Sequence, residues 1–432
     1  MRLHRVLPVL ALLAACASDD SSAPDAGPSD ATTADVPDVS TRDAGADAPQ
    51  DASIDAPIDA PPDAPPAAYN DFTVTSYWSS FDATTGVDSN LQSFAGGTFD
   101  GRYVYFVPNE APNLALRYDT QGAFSSAASW ETFDTESVDI NAYGFVGAVF
   151  DGRYVDYVPW YSSGSPSATF LRFDTKASFG TKASWSIVAP PVGGFQGGTF
   201  DGRYVYVAQR TGTAGNLERL DTTVDGGAWS GFDLYPTSTK LDWLFGGLFD
   251  GRYVYVQSTA TSTVARYDTK GPFDAGASFE SFGVGTDLGA AGLGNGAFDG
   301  RYLYFSGTKI ARYDTQGDFS SGAAWDAVSA TGVAAAGCVL GAFDGRYVYF
   351  LGNGSPKITR YDTLGAFTSA WPVFDTTSVG GVTEGFYTAI FDGRYLYLAP
   401  NGQGAEHAVI LRFDAKSPPS MPPLPAFHGS FF

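Results

Sequence analysis

The chain has 432 residues, with 47 acidic against 25 basic side chains for a net charge of −22, three His and two Cys. That length allows two or three ordinary domains or one large all-β unit, and the charge excludes a nucleic-acid binder, which needs a basic footprint. Two Cys exclude a disulfide framework, and so few His and Cys leave little for a metal site built from them.

Residues 1–15 read as a signal peptide. Arg2 and Arg5 form a basic start, and the apolar run from Val6 to Ala15 is too short to span a bilayer. The string Leu13-Ala14-Ala15-Cys16 resembles the lipobox of bacterial lipoproteins. The resemblance implies cleavage before Cys16, lipidation of its thiol and a membrane-anchored protein of the bacterial envelope, periplasmic or surface-exposed.

Residues 16–68 read as a tether. From position 17 they hold twelve Asp, one basic residue (Arg42) and no aromatic, so half of the net charge sits here. Such a segment buries too little to offset its backbone entropy, and Pro and like charges extend it.

From residue 69 to 417 one unit repeats. The string Phe-Asp-Gly-Arg-Tyr starts at Phe99, Phe150, Phe200, Phe249, Phe298, Phe343 and Phe391. A second signal, Arg-x-Asp followed by Thr or Ala, trails each copy, from Arg117-Tyr118-Asp119-Thr120 to Arg412-Phe413-Asp414-Ala415. Each copy reads as four strands. A Gly-rich apolar strand such as Phe195–Phe200 ends at Asp201-Gly202, expected as a two-residue type I′ loop. The strand after it, from Arg203 to Val207, is apolar on both faces, as in a sheet packed between two others. The third strand ends at the Arg-x-Asp signal. The fourth starts near Trp130, Trp185, Trp229, Phe279, Trp325 or Trp371.

Four strands per unit, repeated at this period, predict an all-β, seven-bladed β-propeller of four-stranded antiparallel blades. The Tyr-Asp signal of the third strand and the Trp of the fourth resemble the kelch repeat. The Gly-Gly doublet that follows the second strand in that family is replaced here by strings such as Val107-Pro108-Asn109. The seventh copy has no fourth strand of its own. The run Tyr77-Trp78-Ser79-Ser80-Phe81-Asp82 matches Ser129-Trp130-Glu131-Thr132-Phe133-Asp134, so an N-terminal strand is expected to complete the last blade and leave no open edge. The Pro-rich tail, residues 418–432, ends regular structure.

Residues present in every copy serve the blade, so function is sought where copies differ, on loops carried by the scaffold. Aromatics beside polar groups in those loops suit a saccharide, and the ligand-binding candidates are Tyr143, Trp160, Tyr161, Tyr235, Asp242, Trp243, Glu384 and Tyr387. The function expected is a membrane-anchored, monomeric binding module for a saccharide or protein ligand, without cofactor or metal. The alternative is a carboxylate-based glycoside hydrolase or polysaccharide lyase drawing on Asp139, Asp242, Asp287 and Glu384. Asp156 stands where the other copies carry a Tyr, and a carboxylate at such a buried place needs a partner. Cys338 takes a first-strand place held elsewhere by Phe, which points to a small buried side chain.

Overall fold

The computed structural model describes residues 68–109, 113–211, 215–234, 241–294, 296–329, 341–352, 354–368, 370–383, 385–400 and 408–417. The signal segment with Cys16, the tether, Tyr235, Cys338, Glu384 and the tail lie outside the described residues.

The repeat folds as its pattern requires. Among the described residues there are seven four-stranded antiparallel sheets, six of them in simple sequence order. In blade 3 the strands are Phe195–Phe200, Tyr204–Gln209, Asn216–Asp221 and Ala228–Asp233, close to the expected limits. The innermost strands of successive blades pack side by side, and Phe386–Phe391 of blade 7 returns to Phe94–Phe99 of blade 1, closing the ring. Glycine sets that spacing: a Cβ on Gly96 would sit 2.5 Å from the Gly147 Cα of the next blade.

The hairpin between the first two strands differs from the type I′ expectation. In blade 3 the Asp201 Oδ1 accepts from the backbone N–H of Arg203 (2.8 Å) and of Tyr204 (2.6 Å), and Oδ2 accepts from the Tyr206 hydroxyl (2.7 Å). The Asp201 N–H donates to the Tyr204 carbonyl, so the two loop residues are Gly202 and Arg203. Only Gly202 has positive φ, at 101°. Glycine at the first central position is the type II′ arrangement, imposed because the carboxylate captures the strand's amides. The same Asp–Tyr hydroxyl bond recurs in six of the seven blades, at 2.6–2.7 Å.

Both families of arginine are structural. The Arg after each Asp-Gly pairs with the Asp of the second signal in all seven blades, as in Arg252–Asp268 at 2.7 Å. The other Arg lies flat on the Tyr of its own blade and, in six of the seven blades, reaches a Phe ring of the next. Arg266 is 4.0 Å from the Tyr253 ring and 4.4 Å from Phe319, and its Nη1 donates to the Tyr313 hydroxyl at 3.1 Å.

In five blades the aromatic near the start of the fourth strand stacks on a Phe of the preceding blade. Trp325 stacks at 4.6 Å on Phe282 of the preceding blade, and its indole N–H donates to the Phe319 carbonyl at 2.9 Å. Parallel stacks recur at Phe81–Trp130, Phe133–Trp185, Phe232–Phe279 and Phe374–Trp78.

Ring closure follows the expectation and adds to it. The strand Trp78–Asp82 pairs antiparallel with Val409–Asp414, with Trp78 opposite Phe413. A second, shorter pairing joins Ala68–Tyr69 to Lys416–Ser417. Phe72, buried, takes the place that Phe124 holds in blade 1, and the Trp78 indole donates to its carbonyl at 2.7 Å. The N-terminal segment thus supplies both the stacking Trp and its turn Phe for the last blade.

Candidate functional site

The Asp-Gly hairpins and Asp-Thr turns lie at one end of the blades, so the loops between second and third strands and the blade-to-blade crossovers share the other. On that face two of the expected aromatics, Trp160 and Trp243, come together with Phe245 around a residue the sequence did not single out. Arg210 follows the second strand of blade 3. Its guanidinium lies 4.1 Å from the Phe245 ring, 5.7 Å from Trp243 of blade 4 and 6.0 Å from Trp160 of blade 2. Its Nη1 donates to the Gln196 side-chain oxygen. Tyr161 packs edge-on against Trp160 at 5.1 Å.

Local geometry explains why these rings hold their places. Trp160 and Tyr161 enter a two-stranded ribbon in which Tyr161–Ser162 pairs with Ser165–Pro166. Ser163 and Gly164, at φ 51° and 77°, turn it, as a primed hairpin loop demands. Tyr143 clasps the tip through its hydroxyl, 2.8 Å from the Ser163 Oγ. Trp243 has φ 52°, a left-handed conformation that bulky residues rarely adopt outside constrained sites.

Trp160, Trp243, Tyr161 and Tyr143 are all half-buried. The Trp160 Nε1 is buried without an acceptor among the described residues. Gln196 is buried and occupies the innermost-strand position held by Ala95, Val146, Phe245 and Tyr387 in other blades. That polar residue in an apolar column was the signal that could have found this cluster. Tyr387 is therefore an inner-ring residue of blade 7. Asp242 offers its backbone carbonyl to the Ser258 hydroxyl at 2.7 Å. Asp139 accepts from the Asn141 N–H at 2.8 Å and closes its own turn.

At the opposite end of blade 2, Asp156 has the partner that its burial demands. The Arg172 Nε donates to Asp156 at 2.6 Å, and its Nη2 donates to Asp151 at 2.5 Å. Asp156 is fully buried. Burial pushes its pKa up to about 8, with the Arg172 charge opposing and the Asp151 charge reinforcing the rise.

No protein-family model and no curated protein matches the chain. Solved structures do. They include streptogramin B lyase, at 15% identity and TM-score 0.53 over 78% of this chain and 97% of that one. Virginiamycin B lyase from Staphylococcus aureus gives 15% and 0.53 over 75% and 97%, and YCF48 from Cyanidioschyzon merolae 14% and 0.51 over 75% and 96%. The likeness is one of fold. It places the chain among seven-bladed propellers, and the kelch resemblance rests on the Tyr-Asp and Trp signals alone.

Proposed function

We propose that the protein is a lipid-anchored binding module of the bacterial envelope whose loop face takes a saccharide or protein ligand. The observation that carries the reading is the cluster of Trp160, Arg210 and Trp243, drawn from three successive blades, with Trp243 held at φ 52°. Half-buried rings offer apolar faces for sugar C–H groups, while the guanidinium, Gln196 and the Tyr143 hydroxyl supply polar contacts. Such rigid aromatic anchors dominate binding energy where they occur. Cys16, in its lipobox-like setting, is the proposed anchor.

Glycan-array binding tests the ligand. Trp160→Ala and Trp243→Ala should each weaken a saccharide hit on the order of tenfold or more; unchanged binding in both would remove this face from the reading. Replacing Cys16 by Ala should move the protein from the membrane fraction to the soluble one. The fold neighbours' lyase activities belong to those proteins, and the carboxylate-based alternative predicts polysaccharide turnover that Asp242→Asn or Glu384→Gln abolishes.

A further inference from the structure

The repeat supplies its own template for what each blade interface should contain, and one interface departs from it. In six of the seven, the second-signal Arg reaches a Phe ring from the next blade's turn: Arg117–Phe179, Arg219–Phe273, Arg266–Phe319, Arg312–Phe367, Arg360–Phe72 and Arg412–Phe124, all at 4.1–4.8 Å. In three, a Tyr hydroxyl of that blade also accepts from the Arg Nη1: Tyr267, Tyr313 and Tyr361.

Arg172 of blade 2 has neither. The blade 3 turn, from Asp221 to Trp229, is three residues shorter than that from Asp119 to Trp130 and has no Phe. The Tyr position is Leu220. Two further departures fall on the same interface. Val188 replaces the Phe on which the next Trp stacks, and Trp229 turns instead to the Phe170 ring and the Val188 carbonyl. Asp156 replaces the Tyr.

The result is a cavity of about 310 Å³ between blades 2 and 3, lined by Asp151, Tyr154 and Arg172 on one side and by Thr222, Val224 and Asp225 on the other. Ligand sites run from about 300 to 1,000 Å³, so this one suits a small molecule. The Arg172 side chain is 94% buried, being 6% exposed. Its guanidinium lies 4.2 Å from the Tyr154 ring, and its Nη1 has no acceptor among the described residues.

We propose that this cavity binds a small neutral phenol, its ring lying against Arg172 where the other interfaces place a Phe, and its oxygen accepting from Nη1 where they place a Tyr hydroxyl. Neutrality follows from the surroundings. Asp151 and Asp156 already hold the Arg172 guanidinium, Arg153, which also lines the cavity, pairs with Asp174, and Asp225 adds a carboxylate, so no net positive charge remains to attract an anion. The site lies at the opposite end of the blades from the loop-face cluster and is independent of it.

The test is calorimetric or NMR titration of the full chain with p-cresol, toluene and benzoate. Saturable p-cresol binding is expected, about tenfold tighter than toluene, which lacks the acceptor for a charged donor, with no saturable binding of benzoate. Leu220→Tyr, which restores the repeat's own occupant, should abolish p-cresol binding while the thermal transition is retained. If that variant does not fold, Val224→Trp decides, because Val224 is an exposed lining residue and a ring there covers the mouth. Absence of saturable p-cresol binding, equal affinity for toluene or benzoate, or wild-type affinity in the folded variant would overturn the proposal.

Discussion

Asp156 decides more than its single position implies. The other six blades put a Tyr there and satisfy the hairpin Asp with its hydroxyl; blade 2 instead holds Arg172 between two carboxylates. Asp156→Ala leaves Arg172 paired with Asp151 but strips its Nε of a buried acceptor, so it should lower unfolding free energy by about 1–3 kcal/mol, measured by denaturant titration. The pH dependence has a defined sign. Asp156 rises from 3.8 to about 8 in the folded protein, and buried Glu218 rises from 4.5 to about 7 by desolvation. A raised carboxyl binds more protons folded than unfolded, so its contribution is complete below the unfolded value and is lost as pH climbs through the folded one. The paired carboxylates Asp119, Asp268 and Asp314 are held below their ordinary range by the Arg beside them and act oppositely, losing stability as pH falls below about 4. Melting temperature should therefore fall between pH 5 and pH 8, and Asp156→Asn should flatten that decline; an unchanged slope in the variant would assign the effect elsewhere.

At the scale of strands and turns, stability lies in aromatic contacts between blades. Trp325 stacks on Phe282, touches Tyr313 and Phe319, and is 5% exposed. Trp325→Ala should cost about 3–5 kcal/mol by loss of burial and the cavity left behind. Gly202→Ala meets nothing within 4 Å, so its cost comes from backbone conformation at φ 101°, on the order of 1–2 kcal/mol; denaturant midpoints measure both. These elements were readable from the chain because each side chain recurs at a fixed offset, which reveals strand number, strand limits and the pairing of Trp78–Asp82 with Val409–Asp414. The hairpin type was misread because Asp-Gly alone does not show that the carboxylate takes the Tyr204 amide. The pairing of Ala68–Tyr69 with Lys416–Ser417 has no pattern long enough to see. Arg210 was missed because its contacts come from three blades at once, and a one-dimensional repeat shows only what each blade does within itself. The shortened blade 3 turn was visible in the sequence, but its meaning needed the neighbouring Arg172 in space.

For the ring as a whole, both ends of the propeller meet in blade 7. Trp78 lies between Phe374 and Phe413, at 4.6 and 4.9 Å, and its strand covers the edge of Val409–Asp414. Removing residues 1–67 should leave the melting transition unchanged. Extending the deletion through Asp82 should abolish a cooperative transition and promote association through the exposed edge, read by calorimetry and light scattering. The same pairing orders events during synthesis. Ser79 faces Arg412, 333 residues later. At ~5–20 residues per second, roughly 15–70 s separate the appearance of the two strands. The N-terminal strands Ala68–Tyr69 and Trp78–Asp82 are thus made first and find their partners last, so the ring closes only when the end of the propeller has been made. Until the strand Val409–Asp414 emerges, the edge it shares with Trp78–Asp82 stays open, and blade 7 is the last to form.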